Sequence, residues 1–282
     1  MGTFDEDKAY ARQEDVYFDD GREDELLKYI LSRDDIRDLE GSPHKVLAAI
    51  DSFGTQRYLM NVGQCKGEIV TDLISRAKPK TMVELGGYVG YSAILFADAV
   101  RAAGGKRYFC LEHNPRFASI ISKLTDLAGL GDMVTVLVGD SGDSLGQLKS
   151  QGTMTHIDVL FLDHHKPLYL RDLKLCEELG FIQPGTILAA DNVIKPGNPP
   201  YLEYVRSSVE QKKQALSCSN ATPNKGEANR ECASVGSETC SREAGQGHGR
   251  PALVYESQLV RSFEPTGVPD GIEITHCVGL DL

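Results

Sequence analysis

Thr81-Met82-Val83-Glu84-Leu85-Gly86-Gly87-Tyr88-Val89-Gly90-Tyr91-Ser92 runs from an apolar stretch through a glycine-rich turn into a helical pattern. Glycines let the chain turn tightly and let a ligand approach the backbone, so this join reads as a strand, a binding loop and a crossover helix. Downstream, short apolar runs at 107–111, 134–138, 157–162 and 186–190 alternate with longer helical patterns, punctuated by Gly129, Gly180 and Gly185. That alternation marks βαβ units and a parallel sheet covered by helices on both faces. Two further alternating runs, 252–260 and 272–278, flank Glu264-Pro265-Thr266-Gly267-Val268-Pro269-Asp270-Gly271 and read as a terminal antiparallel pair.

Upstream, Leu26, Leu27, Ile30 and Leu31, then Val46, Leu47 and Ile50, recur at helical spacing on either side of Gly41-Ser42-Pro43. Another helix follows Asn61-Val62-Gly63, with Ile69, Val70, Leu73 and Ile74 on its buried face. Residues 1–20 are polar and acidic and read as a loosely ordered leader before a single domain over 21–282. Within that domain, 207–249 holds no Phe, Tyr, Ile or Met. Too little apolar surface is available there to offset the entropy of ordering, so the segment reads as a disordered polar insertion.

The 282 residues carry a net charge of −11, which opposes nucleic acid and anionic lipid surfaces as partners. No apolar stretch is long enough to span a bilayer, and the acidic start Met1-Gly2-Thr3-Phe4-Asp5-Glu6-Asp7 is unlike a signal peptide. Seven cysteines without a Cys-x-x-Cys pair fit a reducing compartment and argue against structural zinc. These features lead to the expectation of a cytoplasmic protein acting on a small molecule, and because no strand or helix is visibly an interface, a monomer is expected.

Two constellations carry chemistry. Glu84 precedes a Gly-x-x-x-Gly turn, and Glu112 ends the next strand, where a carboxylate can accept two ribose hydroxyls. The glycine spacing is not that of dinucleotide sites, so the pair points to an adenosine ligand without pyrophosphate, S-adenosylmethionine. The second is at two strand ends, Asp163-His164-His165-Lys166 and Asp191-Asn192. Carboxyl ends of parallel strands line the ligand crevice, so Asp163, Asp191 and Asn192 would offer three oxygens, the donor chemistry of Mg²⁺. Adjacent histidines face different ways, which disfavours zinc. Lys166 would reach the same crevice, where a cation and partial desolvation would lower its pKa and suit it to act as a general base.

Met60-Asn61-Val62-Gly63, the 84–92 stretch, 161–166, Ala189-Ala190-Asp191-Asn192-Val193-Ile194 and Val268-Pro269-Asp270-Gly271-Ile272-Glu273 resemble the catechol O-methyltransferases in order and spacing. The resemblance covers roughly 21–205 and 252–275. It implies a Rossmann-like class I methyltransferase fold with a mostly parallel seven-stranded sheet, and Mg²⁺-dependent methyl transfer to one hydroxyl of a catechol. By the resemblance, Val62, Ser92 and the loop of Glu84 and Gly86 hold the methionine end of the cofactor, and Tyr88 lies along its sulfonium. Glu112 binds the ribose, Ser141 the adenine edge, and Asp163 and His164 border the cofactor. Asp163, Asp191 and Asn192 hold Mg²⁺, Lys166 is the base, and Glu264 hydrogen-bonds the second catechol hydroxyl. Tyr58 and Pro196 form parts of the apolar walls around the ring.

Four positions depart from the family pattern: His165 and Tyr58 replace tryptophans, Gly142 replaces a glutamine at the adenine edge, and Leu168 replaces an arginine. The chain has no tryptophan at all. Asp140 could take over an adenine hydrogen bond, and substrate choice is expected to differ. Two other readings share parts of the pattern: a catalytically silent S-adenosylmethionine-binding protein, which the complete Asp163, Lys166, Asp191 and Asn192 set disfavours, and a nucleotide-dependent oxidoreductase, which the glycine spacing disfavours.

Overall fold

The computed structural model describes residues 4–14, 19–220 and 247–281. Five short parallel strands form the middle and one side of the sheet: β1 Thr81–Leu85, β2 Arg107–Glu112, β3 Val134–Val138, β4 Val159–Leu162 and β5 Ile187–Ala190. Two long strands, β6 Leu253–Phe263 and β7 Pro269–Leu280, complete it in the order β3-β2-β1-β4-β5-β7-β6. β7 runs antiparallel to β5 and β6 antiparallel to β7. This is the class I methyltransferase sheet, with the terminal antiparallel pair where the alternating runs placed it.

Strand side chains divide between two cores at the period of two that a pleated strand imposes. Met82, Val159, Phe161 and Ala189 face one helical layer, and Val83, Leu85, Leu160, Leu162 and Leu188 face the other. The first layer is built from α1 Arg22–Leu31, the short α2 Ile36–Leu39, α3 Pro43–Gly54, α4 Gly63–Ala77, α5 Tyr91–Ala102 and α6 Pro115–Leu127. The second is built from α7 Ser141–Ser150, α8 Tyr169–Glu178 and α9 Pro199–Arg206. Because β4 and β5 are buried along their whole length, they appear in the sequence as continuous apolar runs rather than alternating ones, while β1, equally buried, carries Glu84 within it.

The chain order reverses between β1 and β4, and the crevice of an open α/β sheet lies at such a switch. A Cβ on Gly86, just beyond β1, would sit 2.6 Å from the Asp163 carbonyl oxygen just beyond β4. With φ at +89° as well, only glycine fits this close approach.

Part of the acidic leader is held in place rather than loose. Tyr10 is buried, its hydroxyl donates to Asp51 at 2.6 Å, and its backbone N–H donates to the Pro265 carbonyl at 2.8 Å. Composition hid this, because the anchors are a few scattered contacts; Phe4 also packs on the Phe263 ring with centroids 5.8 Å apart, and Gln13 accepts from the Thr266 hydroxyl at 2.9 Å. At the start of the polar insertion, α10 Val209–Asn220 is helical, and Lys212 is buried against the Tyr204 and Tyr255 rings. The insertion's centre, 221–246, lies outside the described residues. Among the described residues, no helix is long and apolar enough to cross a membrane.

Candidate active site

The turn after β1 is shaped by positive φ at Gly86, Tyr88 and Gly90, where Tyr88 is a rare non-glycine case at +48°. Glu112 pins this turn from β2. One carboxylate oxygen accepts the N–H groups of Gly87 and Tyr88 at 3.1 and 2.9 Å, and the other accepts that of Asn114 at 2.8 Å. Glu112 therefore organises the loop it was expected to serve only as a ribose ligand. The Tyr88 hydroxyl donates to Glu23 on α1 at 2.8 Å.

Glu84 lies beneath the loop, wholly buried, and neither of its carboxylate oxygens has a hydrogen-bond partner. Burial pushes its carboxyl up to about 7, more than nearby Ser92, Cys110 and Tyr108 can offset. Ser92, on the first turn of α5, and Val62, before α4, are buried close to this loop's side of the sheet.

The strand ends converge as their register requires. Leu162 pairs with Ala190, so Asp163 and Asp191 follow adjacent positions, and the Asp191 N–H donates to the Leu162 carbonyl at 2.9 Å. Lys166 turns inward: its Nζ donates to Asp163 Oδ1 and to the Tyr169 hydroxyl, each at 2.8 Å. That hydroxyl donates on to the Asp191 carbonyl at 3.2 Å. Asp163, Lys166, Tyr169 and Asp191 thus form one hydrogen-bonded chain across two strands. Asn192 has φ of +56°, a conformation asparagine tolerates better than most side chains. Its Nδ2 donates to Glu264 Oε1 at 2.7 Å and Asp270 Oδ2 at 3.1 Å, which brings the loop between β6 and β7 into the same cluster.

A second lysine stands at the centre of this cluster. Lys66 of α4 is fully buried, and its Nζ lies 2.7 and 2.8 Å from the two Asp191 oxygens, 2.8 Å from Glu264 and 3.1 Å from Asp270. Burial works against its charge, but the three carboxylates outweigh it and hold the ammonium protonated well above the ordinary range. Burial raises Glu264 and Asp191, while Lys66 pulls both back down.

Ser141 and His164 meet on Asp172. The Ser141 hydroxyl and His164 Nε2, the latter at 2.9 Å, both bond its carboxylate. The imidazole stacks on the Tyr169 ring with centroids 4.9 Å apart, and its buried Nδ1 has no partner. Burial lowers the His164 pKa despite Asp172, so the ring is neutral near pH 7. Asp140 caps α7 by accepting the Gly142 N–H at 2.8 Å, and Arg171 reaches both Asp140 and Ser141. His165 and Pro196 are exposed, and Tyr58 is buried.

Every residue expected at the metal and base positions is therefore brought together, and Glu264 joins them across the insertion. Lys66, Asp270, Tyr169 and Asp172 were missed. Lys66 left a signal: it lies on the Gly63, Lys66, Gly67, Val70, Leu73, Ile74 stripe, a cation where helical periodicity demands an apolar group.

Known proteins bear on this geometry. A family model described as a methyltransferase domain matches residues 83–193, from the first strand to just past Asn192. Catechol O-methyltransferase of Bos taurus is 41% identical over 188 residues, covering 66% of this chain and 67% of that protein. Catechol O-methyltransferase of Sus scrofa is 44% identical over 147 residues, 52% of this chain and 78% of that protein. The chain belongs to the catechol O-methyltransferase family. It spans about two thirds of the length of the bovine relative. An O-methyltransferase from Bacillus cereus in complex with SAH shares the fold, with a TM-score of 0.52 at 20% identity over 91% of this chain and 97% of that one. Within the family fold, the wholly buried Glu84 carboxyl at the glycine loop is left without a hydrogen-bond partner.

The donor set suits a hard cation, because Asp163, Asp191 and Asn192 are all oxygen donors. No group of three or more His, Cys, Asp or Glu arranged to hold a metal occurs among the described residues. The asparagine places this set outside that pattern, and the Asn192 amide nitrogen is already committed to Glu264 and Asp270, which leaves its oxygen as the donor on offer.

Proposed function

We propose that this enzyme is an S-adenosylmethionine- and Mg²⁺-dependent methyltransferase that methylates one hydroxyl of a catechol, with Lys166 as the general base. The observation that supports it most is the inward Lys166 Nζ, fixed by Asp163 and Tyr169 at 2.8 Å each, beside the proposed metal residues and the glycine loop. Glu84, Gly86, Tyr88, Ser92 and Val62 would hold the methionine end of the cofactor, Glu112 the ribose, and Ser141 and His164 the adenine side. Asp163, Asp191 and Asn192 would hold Mg²⁺. When bound, the metal lowers the pKa of a coordinated hydroxyl and the cofactor supplies the methyl group.

The chain's own contribution is positioning and one proton. Lys166 takes the proton of the reacting hydroxyl at Nζ, and Tyr169 and Asp163 set where that nitrogen points. Glu264 accepts a hydrogen bond from the second hydroxyl and so fixes which oxygen faces the methyl donor. Lys66 cannot share the base role, since three carboxylates keep it protonated. Cys65, Cys110, Cys176 and Cys277 are free thiols, which supports placement in the cytosol, and we read the enzyme as a monomer acting on a small molecule.

A panel of vicinal aromatic diols, incubated with labelled S-adenosylmethionine, tests the reading. Methyl transfer should require Mg²⁺, stop on chelation, and fall at least a hundredfold in Lys166→Ala with cofactor affinity retained. Transfer to none of the diols, or full activity in Lys166→Ala, overturns it.

A further inference from the structure

Lys66 is delivered by α4, its side chain is 0% exposed, and its three carboxylate partners belong to two separate segments. Asp191 ends β5, whereas Glu264 and Asp270 flank the turn between β6 and β7. The Asn192 amide bonds the same Glu264 and Asp270 oxygens that face Lys66. Asp270 is secured from its other oxygen by the Ile194 and Lys195 N–H groups, at 3.2 and 3.0 Å. Segments 191–195 and 264–270 are thereby tied together through one buried ammonium, one amide and two backbone donors.

A buried cation is costly to desolvate, and removing it leaves its buried carboxylate partners uncompensated. Without Lys66, Asp191, Glu264 and Asp270 would lie within one shell with the Asn192 amide as their remaining side-chain donor, and like charges at that distance repel.

We propose that Lys66 is a positioning residue that holds Glu264 at a fixed place relative to Asp191, and through it decides which way round an unsymmetrical catechol lies. The inference rests on the catechol reading above. Glu264 contacts the hydroxyl that is not methylated, and Asp191 belongs to the proposed metal set next to the one that is. A fixed separation between them admits one orientation of the ring. A loosened Glu264 admits both, and the ratio of the two monomethyl ethers moves toward one.

The test uses the full-length enzyme with Mg²⁺ and a catechol bearing a single carboxylate substituent para to one hydroxyl. The variants are Lys66→Met, which keeps the side chain's approximate volume, and Asp270→Asn, which removes one carboxylate from the ammonium. Expected in Lys66→Met are a KM for the diol at least tenfold higher and a product ratio within twofold of one, with cofactor affinity by calorimetry changed less than threefold. Diol binding to the enzyme loaded with S-adenosylhomocysteine should weaken by the same factor, a readout independent of turnover. Asp270→Asn should move ratio and KM in the same direction by a smaller amount. A general structural defect lowers the amount of active enzyme without moving the product ratio. Unchanged ratio and KM in Lys66→Met overturn the proposal, and if that variant fails to fold, an unchanged ratio in Asp270→Asn overturns it. If the wild type methylates no diol at all, the catechol reading fails first, and this proposal falls with it.

Discussion

Glu84→Gln should stabilise the ligand-free enzyme while weakening its hold on the cofactor. Burial with no hydrogen-bond partner carries the Glu84 carboxyl from the ordinary 4.5 up to about 7. Its folded value is thus raised above its unfolded one, so between these pH values the folded state binds more protons, and stability is lost as pH rises through that window. Below about 4.5 both states are protonated and no penalty exists; above about 7 the penalty is complete. At 1.36 kcal/mol per pKa unit, the difference amounts to about 3 kcal/mol. The side chain is 0% exposed, so solvent screening does not discount it. Urea unfolding of wild type and Glu84→Gln at several pH values from 5 to 8 should show the variant's advantage growing from about 1 kcal/mol at pH 5 to about 3 kcal/mol at the top of the range, an upper bound since an amide also seeks hydrogen bonds. Other titrations are common to both proteins and cancel in the difference. Cofactor affinity should fall at least tenfold, as the proposed ammonium partner loses its charge. A stability difference that is independent of pH, or a variant that loses stability at pH 8, refutes the reasoning.

Tyr169→Phe keeps a fully buried ring but deletes the hydroxyl between Lys166 and the Asp191 carbonyl. A hydrogen bond to a charged group contributes about 1.5–3 kcal/mol, and Lys166 keeps Asp163, so kcat should drop by about tenfold with Mg²⁺ and cofactor affinities unchanged. The same change in a Lys166→Met background should have no further effect on rate; an additive loss would mean that Tyr169 does not act through Lys166. Glu177→Ala tests the base of the insertion instead, since this buried carboxylate accepts from the Tyr204 and Tyr255 hydroxyls at 2.7 and 2.6 Å and from the Arg250 N–H at 2.6 Å. Three orphaned donors should reduce unfolding free energy by about 3 kcal/mol in urea titration while kcat stays at the wild-type level, and a stability change under 1 kcal/mol would show the anchor to be dispensable.

Most of the architecture was legible because the physics that writes it is local. The β4 run is buried on both faces and is apolar throughout, whereas β1, equally buried, is broken by Glu84; Gly86 must be glycine where Asp163 passes within contact. The strand-end rule then carried Asp163, Asp191 and Asn192 to one crevice without any knowledge of distance. Boundaries moved where ladder pairing outlasts apolar patterning: β6 and β7 extend to Phe263 and Leu280 because an antiparallel hairpin keeps pairing through polar positions. The docked leader was illegible for the opposite reason. Tyr10 stands in a polar stretch without apolar periodicity, and its partners Asp51 and Asn61 lie far along the chain.

The site itself was readable at its strand ends and opaque at its centre, and the difference is instructive. Loop residues such as Asp163 and Lys166 announce themselves because a polar group ending an apolar strand has no packing role to explain it. Lys66 is inside a helix, where a lysine is by default a solvated face, and only its place in the apolar stripe contradicts that default. A buried lysine cannot be satisfied by its own helix, so its presence there implies carboxylates from elsewhere in the fold, at least enough to outweigh its desolvation. Asp191 alone would make a simple pair. The further presence of Glu264 and Asp270 leaves the cluster richer in acids than its one central ammonium can neutralise, and Lys166 is already occupied by Asp163 and Tyr169. Such an excess of buried carboxylate, with the Asn192 amide turned to the acids, is the setting in which we propose that Mg²⁺ binds. The lysine that the helical pattern marks as misplaced is thus the residue around which these acids from distant segments gather.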